Sequence, residues 1–106
     1  MTSVKFLYNG SLLTGFDLRG HATADADDEA GRLVCSAVSS AAYMAANTIT
    51  DVLNLKCDIF VDEAEMRLKV LQDAERCQPI LLGFKLHMEG LLEQYSDNIR
   101  IILEEK

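Results

Sequence analysis

Apolar and polar residues alternate from the start of the chain. Val4, Phe6 and Tyr8 stand against Lys5, Leu7 and Asn9, which predicts a short strand. Asn9-Gly10 follows as a two-residue hairpin signal, because both residues tolerate positive φ. Ser11 to Gly20 reads as the returning strand, and Gly15 inside it predicts a bulge or a close approach of another backbone. The period then changes. Val34, Val38, Ala41, Ala45, Ile49 and Val52 share one helical stripe, which predicts a helix over Leu33–Leu53 with Asn54 as its stop. Cys57, Ile59 and Val61, then Met66, Leu68 and Val70, return to alternation and predict two strands joined by a turn at Asp62-Glu63-Ala64-Glu65. Pro79 suits the first turn of a second helix, with Leu81, Phe84, Met88, Leu91, Leu92 and Tyr95 on its apolar face. Ile99, Ile101 and Leu103 mark a last strand.

The predicted order is β-β-α-β-β-α-β. It describes one α+β domain over residues 1–106, a compact two-layer or sandwich fold with a largely antiparallel sheet. There is no internal repeat and no linker. The pattern leaves strand order open.

Composition narrows the function. The chain is 49% hydrophobic but only 7% aromatic, so its core is mainly aliphatic. A formal net charge of −7 argues against binding a phosphate backbone or an anionic membrane, and suits a basic protein or peptide as partner. No apolar run has the length of a membrane span. The three cysteines are odd in number, and the chain starts directly in a strand pattern. Free thiols in a reducing cytoplasm are the expectation.

Two residues suggest chemistry. His21 ends the second strand, and Cys35 is predicted in the first turn of the first helix. A thiolate at a helix N-terminus is stabilised by free backbone N–H groups, and an imidazole beside it would complete a nucleophile–base pair. For a lone Cys on a small-residue face, an inert packed thiol is the commoner fate. Gly20, Ser36 and Ser39 are the candidates for substrate binding or oxyanion support. Gly20 would act through its N–H, and Ser39 lies one turn after Cys35 on the same face. A helix serine equally often bonds back to its preceding turn. The loop Ala22–Gly31 carries Asp25, Asp27, Asp28 and Glu29. Such a run is usually a solvated surface; as a functional element it would be a mobile flap meeting a basic substrate. Cys57 and Cys77 read as structural and His87 as a surface or packing residue. A metal held by His21, Cys35 and a loop Asp lacks any close ligand pair, so no metal is expected.

Gly15-Phe16, Gly20-His21-Ala22 and Val34-Cys35-Ser36-Ala37-Val38-Ser39, in this order and spacing, resemble the ribosomal-processing cysteine protease family, Prp. The likeness spans essentially the whole chain. It implies a catalytic histidine at His21 and a nucleophile at Cys35, with the motif glycine at Gly20 and the helix serine at Ser39. It further implies removal of an N-terminal extension from a large-subunit bacterial ribosomal protein (L27), a homodimer, and no cofactor. Arg32 stands where the family carries an acidic residue; a cation there still favours a thiolate. Two other readings stay open. One is a non-catalytic dimeric acidic module that binds a basic ribosomal protein. The other is a thiol-dependent hydrolase or transferase acting on a small molecule, which needs a deep closed pocket.

Overall fold

The computed structural model describes residues 1–20 and 29–105. Its strands are β1 (Thr2–Asn9), β2 (Leu12–Arg19), β3 (Cys57–Val61), β4 (Glu65–Val70) and β5 (Ile99–Glu105). Its helices are α1 (Glu29–Asn47) and α2 (Gln78–Gln94). The β-β-α-β-β-α-β order and the α+β class are as expected from the pattern. The sheet order is β3-β4-β2-β1-β5, antiparallel throughout except for the parallel β1–β5 pair. That parallel pair is what a crossover through α2 requires.

Both helices cover one face of the sheet. Val4 and Phe6 of β1, Phe16 and Leu18 of β2, and Met66, Leu68 and Val70 of β4 form one core with Val34, Val38, Ala42, Ala45 and Ile49. Phe84 of α2 completes it, with its ring 5.8 Å from that of Phe6 and 4.8 Å from that of Phe16. Ala42, Ala45 and Ala46 of α1 lie in this core, where their small size lets the helix lie close. The opposite face is open and carries charged rows set by register. Lys5, Asp17 and Arg67 lie in line across β1, β2 and β4. Asp17 is buried there beside Arg19, 3.4 Å away, while Lys5 pairs with Glu104 at 3.1 Å.

The hairpin turn falls on Gly10-Ser11, one residue later than expected. Asn9 stays in the ladder opposite Leu12, and only Gly10 takes positive φ (+64°), the pattern of a type II′ turn. Both expectations for Gly15 hold. Leu7 pairs with Gly15 but Tyr8 with Leu13, so Thr14 is a bulged residue, its hydroxyl donating to the Leu7 carbonyl at 3.1 Å. A Cβ on Gly15 would collide with the Leu68 carbonyl oxygen. The backbone that the bulge releases is caught by Gln78. Its Nε2 donates to the Leu13 carbonyl at 2.8 Å, and its Oε1 accepts from the Leu13 N–H at 3.1 Å.

The first helix departs from its expected bounds at both ends. Glu29, Ala30 and Gly31 are helical rather than loop. After Asn47 it widens into a π-helical turn over Thr48–Val52, which rotates the apolar stripe. Ile49 remains buried, but Val52, expected in the core, is 71% exposed. Asn54, at φ 57°, ends the segment as expected. Among the described residues no helix is long and apolar enough to cross a membrane.

Candidate active site

The β2–β4 ladder runs toward the end of the sheet where β3 turns into β4. Arg19 pairs with Glu65, and one rung further the Gly20 N–H donates to the Ala64 carbonyl at 3.0 Å. Helix α1 passes over this end. Between them lies a cleft of about 70 Å³. Cys35, Val38, Ser39 and Tyr43 form its helical wall, and the turn residues Val61 to Met66 face them; Thr2, Leu18 and Gly20 close its end.

Cys35 is half-buried and opens on this cleft, but it does not sit in the first helical turn. Because α1 already includes Glu29, Cys35 lies in the second turn, where its own N–H belongs to the helical ladder and the pull of the helix terminus has decayed. The expected stabilisation by free N–H groups at a helix start is therefore corrected. His21 and the acidic stretch Ala22–Asp28, the site of the expected flap, lie outside the described residues.

The supporting residues divide. Gly20 and Ser39 share the cleft with Cys35, whereas Ser36 is exposed and takes no part in lining it. The Gly20 N–H is already committed to Ala64, so it is not a free oxyanion donor. A Cβ there would meet Thr2 Oγ1 at 3.0 Å, so a larger residue would have to push that side chain aside. The Ser39 hydroxyl bonds no described residue. This contrasts with Thr48 and Thr50, which donate to carbonyls one turn back at 2.8 and 3.1 Å.

Thr2, Tyr43 and the β3–β4 turn are contributors that periodicity did not reveal. The turn itself was legible; its place opposite α1 follows from long-range register. It brings Asp62, Glu63 and Glu65 to the cleft, with Glu65 tied to Arg67 at 2.9 Å and Arg19 at 3.5 Å. The other thiols stand apart. Cys77 is buried, Cys57 is half-buried against the core, and burial pushes both thiols up from their ordinary range. His87 is exposed on α2. Among the described residues, no cluster of three His, Cys, Asp or Glu is placed to hold a metal.

Cys35 is thus a half-buried thiol facing a cleft at one end of an α+β sandwich. Residues 1–100 match the family described as cysteine protease Prp, and the chain belongs to that family. No curated protein matches it. Among solved structures it resembles SMU.848 from Streptococcus mutans, with TM-score 0.89 at 19% identity, covering 100% of this chain and 96% of that one. It also resembles the essential ribosomal processing protease Prp from S. aureus in complex with a substrate peptide. There the TM-score is 0.85 at 21% identity, covering 98% of this chain and 100% of that one. The same protease with a covalently linked product peptide gives 0.83 at 22% identity, with the same coverage.

Proposed function

We propose that this chain is a cysteine endopeptidase that removes the N-terminal extension of the large-subunit ribosomal protein L27 in the cytoplasm, working as a homodimer. One observation carries the reading: the Cys35 thiol opens on a cleft closed by Gly20, the residue joined directly to His21. Family membership and the peptide-bound structural relatives support a peptide as substrate. In this mechanism His21 takes the Cys35 proton and the thiolate attacks the scissile carbonyl. His21 then protonates the leaving amine, and water releases the acyl group. Ser39, its hydroxyl bonded to no described residue on the cleft wall, is the side-chain donor for the oxyanion, because neither the helix start nor the Gly20 N–H serves. Glu63 on the facing wall suits a basic flank in the substrate.

A small-molecule substrate fits poorly. Pockets for such ligands run to roughly 300 Å³ or more, well above the cleft volume of about 70 Å³. The test is incubation with a peptide spanning the L27 precursor junction, with products read by mass spectrometry. The parent yields a single cleavage and Cys35→Ser yields none. Intact cleavage by Cys35→Ser would refute the assignment; binding without cleavage by the parent would replace it with the non-catalytic module.

A further inference from the structure

We propose that Asp62 is a positioning residue for this site, acting through the β3–β4 turn on Gly20. The inference rests on the reading of His21 and Cys35 as base and nucleophile. Three carboxylates lie on or beside the turn, and they do different work. Glu65 is held in ion pairs by Arg67 and Arg19, and Glu63 is exposed. Asp62 alone of the three bonds the main chain: its Oδ1 accepts from the N–H of Ala64 at 2.9 Å and from that of Glu65 at 2.8 Å. Its own N–H donates to the Glu65 carbonyl at 2.9 Å. One carboxylate oxygen therefore fixes the two backbone amides that would otherwise be left open at the tip.

That turn has two consequences for the cleft. Its residues form the wall facing Cys35. Its Ala64 carbonyl is also the acceptor for the Gly20 N–H, the last rung of the β2–β4 ladder among the described residues. The end of a ladder frays most readily, because it is held from one side only. Asp62 supplies the missing restraint by locking Ala64 from beyond the ladder. Gly20 in turn lies close against Thr2, so Gly20 is held by the turn and by β1 together. A displacement of about 1 Å in a reacting group costs on the order of 100-fold in rate.

The experiment compares Asp62→Ala, Asp62→Asn, Asp62→Glu and His21→Ala in precursor-peptide cleavage. It also follows Cys35 alkylation against pH and hydrogen exchange at the Gly20 amide. Asp62→Ala should lower kcat about tenfold or more with little change in KM. It should move the pH profile of alkylation toward that of His21→Ala and speed Gly20 exchange. Asp62→Asn keeps an acceptor at the same place and should restore all three. Asp62→Glu keeps the charge but misplaces the oxygen, and should behave like the alanine variant; it also serves if the alanine variant fails to fold. A parental kcat, pH profile and Gly20 exchange in Asp62→Ala and Asp62→Glu, with His21→Ala inactive, would overturn this inference alone. So would an Asn variant as impaired as alanine. Parental cleavage by His21→Ala would instead overturn the dyad beneath it, whatever Asp62 does.

Discussion

Adding one methyl group should have opposite effects at Gly15 and Gly83. At Gly15 the new Cβ meets the Leu68 carbonyl oxygen, then Lys69 Cα at 3.0 Å and the Leu68 carbonyl carbon at 3.1 Å. All three are main-chain atoms, so no rotamer relieves the clash and β2 must move away from β4. Opening the ladder there weakens one or two backbone bonds, each worth about 0.5–1.5 kcal/mol. Phe16 and Leu68, adjacent and fully buried, must also shift, at an overpacking cost of about 1–3 kcal/mol. The stiffer unfolded chain returns about 0.4–1 kcal/mol. The net expectation for Gly15→Ala is a loss of about 2–3 kcal/mol. At Gly83, on the exposed face of α2, a Cβ meets nothing within 4 Å. Helix propensity alone then favours Gly83→Ala by up to about 1 kcal/mol. Urea unfolding followed by circular dichroism measures both, with a separation of about 3 kcal/mol expected. A Gly15→Ala midpoint equal to or above that of the parent would refute the close-approach reasoning.

Other outcomes follow from the same structure. Iodoacetamide at neutral pH should label Cys35 well before Cys57 or Cys77, since burial pushes the latter two thiols up; mass mapping that finds Cys77 labelled at the same rate in the native protein would contradict its burial. Both raised thiols predict an alkaline loss of stability. The unfolded chain ionises first, so stability is held below the ordinary thiol value of 9.0 and falls as pH rises through the raised values. Urea midpoints from pH 8 to 10.5 check this, and Cys77→Ala should flatten the decline while lowering stability overall. Gln78→Ala strips both partners from the Leu13 backbone and should cost about 1–3 kcal/mol, read by the same titration. Removing Lys5 or Glu104, a partly exposed pair, should change the midpoint by less than about 1 kcal/mol.

The element order was legible because each element writes its own period in the chain. Alternation of side chains on a strand and the stripe of a helix are local consequences of backbone geometry. Gly15 could be read as a bulge or a close approach because absence of a Cβ leaves few other uses for it in a strand. The errors fell where local pattern is silent. Nothing in the periodicity marks a π-helical turn, so Val52 was placed in a core that the widened backbone carries it away from. The acidic residue Glu29 and Gly31 look like loop, yet an acidic residue suits a helix's first turn and α1 absorbs both. That shift moved Cys35 from the first turn to the second and removed the helix start as its source of activation.

The sequence alone determined the α+β class, the two hairpins, the core faces of β1, β4 and α2, and Cys35 as the thiol to consider. These depend on residues close together in the chain. Tertiary structure decided what faces Cys35. Register between β2 and β4, distant in sequence, places Ala64 on Gly20 and so brings the β3–β4 turn and Asp62 to the cleft. Long-range pairing is set by how the apolar faces of β1, β2 and β4 bury together against two helices, and no short stretch of the chain contains that information.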